Sequence, residues 1–206
     1  MPFEPHLCYI TDRHALAPVP LLQHLQNAVR AGLDLIQLRE KDLASRQLAE
    51  LARAAVASSA GLKTRIVIND RLDIAMAVGA HGVHLGVQSV PPEAVRRHVE
   101  RGFLLGASCH SLEEALRAEA GGADYILLGP IFDTPSKRPY GPPLGLDKLT
   151  EVAGRVAIPV LALGGITVER IRPCLDAGAT GIAAIRLFQE CDSLEDRIVE
   201  LRAQFP

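Results

Sequence analysis

The chain has no tryptophan, and aromatic residues make up only 4% of its 206 positions. With so few large flat side chains and a bias toward Ala, Leu, Val and Gly, the composition suits helices packed closely on a parallel sheet rather than a β-sandwich. Charge of one sign is also missing. A net charge of −2, a pI near 6.4 and no run of like charges leave no field suited to nucleic acid. No apolar stretch reaches the roughly 18 to 20 residues needed to span a bilayer, and the acidic, Pro-containing start has no signal-peptide pattern. The expectation is a cytoplasmic protein with no membrane and no nucleic-acid partner. Four cysteines, Cys8, Cys109, Cys174 and Cys191, stand without a Cys-x-x-Cys pair. Neither a disulfide framework nor a zinc site is indicated, and buried reduced thiols are expected.

What is present is a repeated unit. Nothing marks a domain break, so one domain over residues 1–206 is expected, with 48% apolar content to fill its core. The pattern is clearest between residues 65 and 89. There Ile66-Val67-Ile68 reads as a strand buried on both faces and stops at Asn69-Asp70, Leu72 to Val78 reads as a helix closed by Gly79, and Val83 to Leu85 is the next strand. Similar apolar strands are predicted at residues 7–10, 33–38, 104–107, 125–128, 160–163 and 181–185.

Helices are predicted over residues 20–31, 45–58, 91–101, 112–121, 146–155, 167–178 and 194–203, with Ser45 as one N-cap and Ser111 with Glu114 as a capping box. Eight strands alternating with eight helices predict a closed (β/α)8 TIM barrel, with an open doubly wound sheet as the rival. A TIM barrel carries its site at the C-terminal strand ends. In this chain those ends hold Asp12, Gln37, Arg39, Lys41, Asn69, Asp70, Ser108, His110, Gly164, Gly165 and Arg186.

Those residues have the makings of an anion clamp. Arg39, Lys41 and Arg186, with Lys137 from a long loop over residues 129–145, supply cations, and Gly164-Gly165 is expected to open a helix whose amides face a phosphate. Asp70 could ligate Mg2+, which needs one or two carboxylates when substrate phosphates complete its sphere. Its bland reading is a helix cap. His84 lies in an apolar strand and reads as a hydrogen-bonded core residue, while His110 at a strand end is an open candidate. Ser108, Thr134 and Ser136 have no evident base and acid at triad-like positions, so they read as hydrogen-bond donors rather than nucleophiles.

The motifs Tyr9-Ile-Thr-Asp12, Gln37-Leu-Arg-Glu-Lys41, Ile68-Asn-Asp-Arg71, Gly82-Val-His-Leu-Gly86, Gly106-Ala-Ser-Cys-His110, Gly129-Pro-Ile-Phe-Asp-Thr-Pro-Ser-Lys137, Gly164-Gly-Ile166 and Gly178-Ala-Thr-Gly181 occur in this order. With them the whole chain resembles the thiamine phosphate synthase family and its sister group, the TenI-type thiazole tautomerases. The resemblance implies condensation of hydroxymethylpyrimidine diphosphate with hydroxyethylthiazole phosphate, with Mg2+ as cofactor and diphosphate leaving first. It implies that Gln37, Leu38, Arg39, Glu40, Lys41, Asn69, Ser108 and Lys137 form the pyrimidine diphosphate site, with Arg39, Lys41 and Lys137 catalytic. It places the thiazole phosphate on Thr134, Pro135, Ser136, Gly165, Ile185 and Arg186, and the metal on Asp70 and Ser89.

Two positions depart from the family pattern. Ser89 stands where a second metal-ligating carboxylate is usual, and Arg186 stands where a Ser is usual. The tautomerase reading remains as an alternative, with His110 as a candidate base, although the sister group's His after the strand-six Gly is here Pro130. A non-catalytic thiamine-precursor binder is the third reading. A homo-oligomer is left open.

Overall fold

The computed structural model describes residues 3–16, 19–134 and 141–205. Eight parallel strands close into a barrel in simple sequence order: β1 (Leu7–Ile10), β2 (Leu35–Leu38), β3 (Arg65–Asn69), β4 (Gly82–Leu85), β5 (Leu104–Cys109), β6 (Tyr125–Leu128), β7 (Val160–Leu163) and β8 (Gly181–Ala184). Between and after them lie α1 (Leu21–Arg30), α2 (Ser45–Ser58), α3 (Leu72–Ala77), α4 (Pro92–Arg96), α5 (Leu112–Ala120), α6 (Gly145–Ala153), α7 (Val168–Asp176), α8 (Arg186–Gln189) and α9 (Leu194–Arg202). Cys8 and Tyr9 pair with Ala183 and Ala184 to seal the ring. The open-sheet rival is thereby excluded.

The period of two along each strand divides the core into two layers. Leu7, Tyr9, Ile36, Leu38, Ile66, Ile68, Val83 and Ile126 face the helices, whereas Cys8, Ile10, Leu35, Val67, Tyr125, Leu127, Leu161 and Ala183 fill the barrel interior. Small residues make room for the large ones. A Cβ on Gly106 would lie 2.2 Å from Tyr125 Cζ, so the glycine is what admits the Tyr125 ring to the barrel centre.

Several boundaries differ from expectation, each for a local reason. β2 begins at Leu35 rather than Leu33, because the Asp34 carboxylate turns to accept from the backbone N–H of His6 and Leu7, at 3.1 and 2.9 Å. α2 is capped at Ala44, and the Ser45 hydroxyl instead receives the Arg71 guanidinium at 3.2 Å. α4 stops at Arg96 rather than 101, since residues 97–101 supply only Val99 as an apolar side chain; Arg96 turns back to the carbonyls of Gly122 and Phe103. The Ser111 cap is present, but Glu114 accepts from the N–H of His110 rather than closing the box on Ser111. α8 and a 3-10 turn over Arg13–Ala15 are additions to the predicted helices. No described helix is long and apolar enough to cross a membrane.

Candidate active site at the C-terminal mouth of the barrel

Strand alternation decides which side chains reach the barrel mouth. On β2, Leu35 faces inward, so Gln37 does too, level with Ile10 and Val67. Leu38 and Glu40 point elsewhere. Leu38 is buried under the helices. The buried Glu40 carboxylate accepts from the Arg13 backbone N–H at 3.2 Å on each oxygen and from Arg13 Nη1 at 3.1 Å. The side chains of these two residues are therefore turned away from the mouth: Leu38 packs in the core, and Glu40 ties the β2 loop to the 3-10 turn after β1. Thr11 completes the tie, because its Oγ1 accepts from the Arg39 N–H at 2.9 Å. Asp12 caps the 3-10 turn through the His14 N–H.

Held this way, Arg39 and Lys41 leave the end of β2 with no side-chain hydrogen bond or ion pair among the described residues. Arg186, at the end of β8, meets Thr134 Oγ1 at 3.4 Å and has no carboxylate partner among the described residues. Seven other arginines are different. Arg13, Arg71, Arg96, Arg117, Arg172, Arg197 and Arg202 each pair with a carboxylate. Since β1 alone separates β2 from β8 in the ring, three uncompensated cations share one stretch of rim. Lys137, Pro135 and Ser136 lie outside the described residues.

Next to the β2 cations, β3 ends at Asn69 and Asp70. Asp70 is exposed and adopts a left-handed backbone (φ 64°), fixed by its N–H donating to the His84 carbonyl at 2.8 Å. It is not a helix cap; Arg71 occupies that position for α3. The Ser89 hydroxyl accepts from the Gly86 N–H at 2.8 Å and donates to the Asp70 carboxylate. The two residues expected at the metal are thus brought together. The donors are all oxygen, with a single carboxylate, and no group of three or more His, Cys, Asp or Glu able to hold a metal ion occurs among the described residues. Such a set fits Mg2+ shared with substrate phosphates and does not fit a soft or closed all-protein metal centre.

Ser108, at the end of β5, carries an arrangement that motif spacing did not reveal. His84 Nε2 lies 2.9 Å from Ser108 Oγ, and His84 Nδ1 lies 3.1 Å from Tyr125 Oη. A base does sit beside Ser108, contrary to expectation. It is a poor one: burial, followed by the nearby Arg39 charge, pushes the His84 pKa down to about 3. With a phenol in place of a carboxylate behind the ring, this is not a nucleophilic triad. His84 is the hydrogen-bonded core residue that its apolar strand implied. His110 points to Glu114, with 3.4 Å between Nδ1 and Oε2.

The opposite half of the rim is built by the loops after β6, β7 and β8. Thr134 is buried, the Gly165 carbonyl accepts from Arg170 Nη1 at 2.6 Å, and Ile185 packs on the interior cluster as the residue preceding α8. Gly164 and Gly165 both have positive φ, and a Cβ on either would strike the Pro130–Asp133 segment at 2.6 to 2.7 Å. The helix they were expected to open begins later, at Val168. α8 is anchored by Gln189 Nε2, which donates to Tyr9 Oη and the Asp12 carbonyl at 2.9 Å each.

A family described as thiamine monophosphate synthase matches residues 7–188. The chain belongs to that family. A putative thiamine-phosphate synthase 2 of Aquifex aeolicus is 48% identical over 186 residues, covering 90% of this chain and 98% of that one. A thiamine-phosphate synthase of Chlorobium luteolum is 40% identical over 202 residues, covering 98% and 93%. Among solved structures, thiamine phosphate pyrophosphorylase of Pyrococcus furiosus superposes with a TM-score of 0.87 at 33% identity, covering 98% of this chain and 96% of that one. Ser89 and Arg186, the two departures expected from the sequence, both lie at the mouth described above.

Proposed function

We propose that this chain is a Mg2+-dependent thiamine-phosphate synthase, which joins hydroxymethylpyrimidine diphosphate to hydroxyethylthiazole phosphate and releases diphosphate. The observation that carries the reading is the set of cations at the mouth, Arg39, Lys41 and Arg186, which have no carboxylate partner among the described residues. Arg39 is half-buried and Lys41 and Arg186 are exposed, so the three together set up a local positive field that favours an anion, most strongly at Arg39. Two phosphorylated substrates meet that field from the two halves of the rim, the diphosphate from the β2–β5 side and the thiazole phosphate from the β6–β8 side.

The reaction needs charge stabilisation more than it needs a base. The bond between the pyrimidine methylene carbon and the bridging diphosphate oxygen breaks with both electrons on oxygen, and the thiazole nitrogen lone pair then forms the new C–N bond. Arg39 and Lys41 hold the leaving oxygens, where stabilising developing negative charge contributes most to the rate. Asp70, with Ser89 beside it, would hold Mg2+, whose charge would offset that of the diphosphate. Gln37, Asn69 and Ser108 line the inner wall and orient the pyrimidine, and Thr134 with Arg186 receives the thiazole phosphate. A tautomerase would need a proton-transferring base at the mouth; His84, whose pKa is pushed down to about 3, and Pro130 do not provide one, and the His110 ring is turned to Glu114.

Product analysis tests the proposal. Both substrates with millimolar Mg2+ should give thiamine phosphate and diphosphate in equal amounts, with neither formed when one substrate is withheld. Failure to form thiamine phosphate under these conditions contradicts the reading.

A further inference from the structure

Tyr125, His84 and Ser108 form a line of hydrogen bonds from the barrel centre to its mouth, at 3.1 and 2.9 Å. Tyr125 is fully buried and His84 is 1% exposed, so their polar atoms must be satisfied within the protein. The arrangement depends on Gly106, where a Cβ would lie 2.3 Å from Tyr125 Oη and 2.6 Å from His84 Nδ1.

The line has a direction. Burial raises the Tyr125 pKa well above its ordinary value, so the phenol keeps its proton. His84 is the one hydrogen-bond partner of that hydroxyl among the described residues. The phenol therefore donates to Nδ1. A neutral imidazole with an acceptor at Nδ1 carries its proton on Nε2, which donates to Ser108 Oγ. The Ser108 oxygen is then an acceptor inside the wall, and its own hydrogen is left for the mouth. The opposite direction would leave a phenolic hydrogen without a partner at the barrel centre, which is the costlier arrangement.

We infer that Tyr125 and His84 are positioning residues that fix Ser108 as a hydrogen-bond donor to a ring nitrogen of the pyrimidine substrate. The identity of the acceptor rests on the synthase reading, whereas the direction of the line does not. A donor at this point discriminates between the faces of an aminopyrimidine: a ring nitrogen presents a lone pair, whereas the exocyclic amine presents hydrogens that would oppose it. A bond to a ring nitrogen draws electron density away from the ring and gives no extra stabilisation as the cation develops. Its effect therefore falls on substrate binding rather than on the chemical step.

The test combines a spectroscopic and a kinetic measurement on the full chain. In protein labelled with nitrogen-15 at histidine, the wild-type His84 ring should show a protonated Nε2 and an unprotonated, hydrogen-bonded Nδ1. Tyr125→Phe should abolish that single tautomer. The same variant should raise KM for the pyrimidine diphosphate about tenfold with kcat changed less than about threefold, as expected for one mispaired buried donor. Ser108→Ala should do at least as much, and the double variant no more than Ser108→Ala alone.

A wild-type ring protonated at Nδ1 overturns the inference without any variant having to fold. So does a fall in kcat at unchanged KM, or additivity in the double variant. Absence of turnover in the wild type overturns the synthase reading and the assigned acceptor with it.

Discussion

Acidification should destabilise this protein through a histidine that stays uncharged in the folded state down to about pH 3. His84 has a folded pKa of about 3 against an ordinary value of 6.5, because burial and then the Arg39 charge oppose its protonation. The unfolded chain binds a proton at this position between those values and the folded chain does not. Stability is therefore intact above pH 6.5, falls as pH drops below it, and stops falling near pH 3. At pH 5.5 the unfolded ring is about ten-elevenths protonated, and linkage gives RT ln 11, about 1.4 kcal/mol lost relative to pH 7.5. His24 and His81 are also lowered by burial and add to the loss in the same direction. Urea denaturation of wild type and His84→Gln at both pH values isolates the term, since the other histidines are common to both proteins. Wild type should lose about 1.4 kcal/mol more than the variant over this interval. Equal losses would refute the assignment of His84 as buried and neutral.

Other predictions follow from contacts at the mouth. Gly106→Ala should cost roughly 2–4 kcal/mol in urea denaturation through overpacking and a broken buried hydrogen bond, and a loss under about 0.5 kcal/mol would mean that Tyr125 can move aside. Ser89→Asp adds a second carboxylate beside Asp70 and should lower the Mg2+ concentration for half-maximal activity about tenfold; an unchanged Mg2+ titration would place residue 89 away from the metal. Glu40→Gln removes the charge that holds Arg13 and should destabilise by about 1–3 kcal/mol while raising KM for the pyrimidine diphosphate. If KM stayed constant, the Glu40–Arg13 tie would not position the Arg39–Lys41 segment.

Most of the barrel was legible because it is written in period. Continuous apolar strands and helical spacing with Gly stops depend on residues close in sequence, and they gave all eight strands to within about two residues at each end. The misjudged boundaries depend on distant partners. Nothing near Leu33 announces that Asp34 will bind the start of β1, and nothing near Ser45 announces that Arg71 will take its hydroxyl. At the mouth, Gln37, Arg39, Lys41, Asn69, Asp70 and Ser108 could be placed by lying at strand ends. The alternation that sends Leu38 outward was equally readable, but a contiguous motif obscured it.

Glu40 was not readable as structural without Arg13, which lies 27 positions away. The Tyr125–His84–Ser108 line joins three strands and has no local signature beyond Gly106, whose missing side chain is the one hint in the sequence. Thr11, inside the first motif, was likewise visible as a residue and invisible as the acceptor for Arg39.

The most direct test of the account is the steady-state rate of thiamine phosphate formation in Arg39→Gln and Lys41→Gln, set beside Arg172→Gln, whose cation is already paired with Asp176 on α7. Loss of either unpaired cation should lower kcat on the order of a hundredfold, as for other removed transition-state charge stabilisers, with the Arg172 variant close to wild type. Rates within about threefold of wild type in both rim variants would contradict the claim that these cations carry the leaving diphosphate.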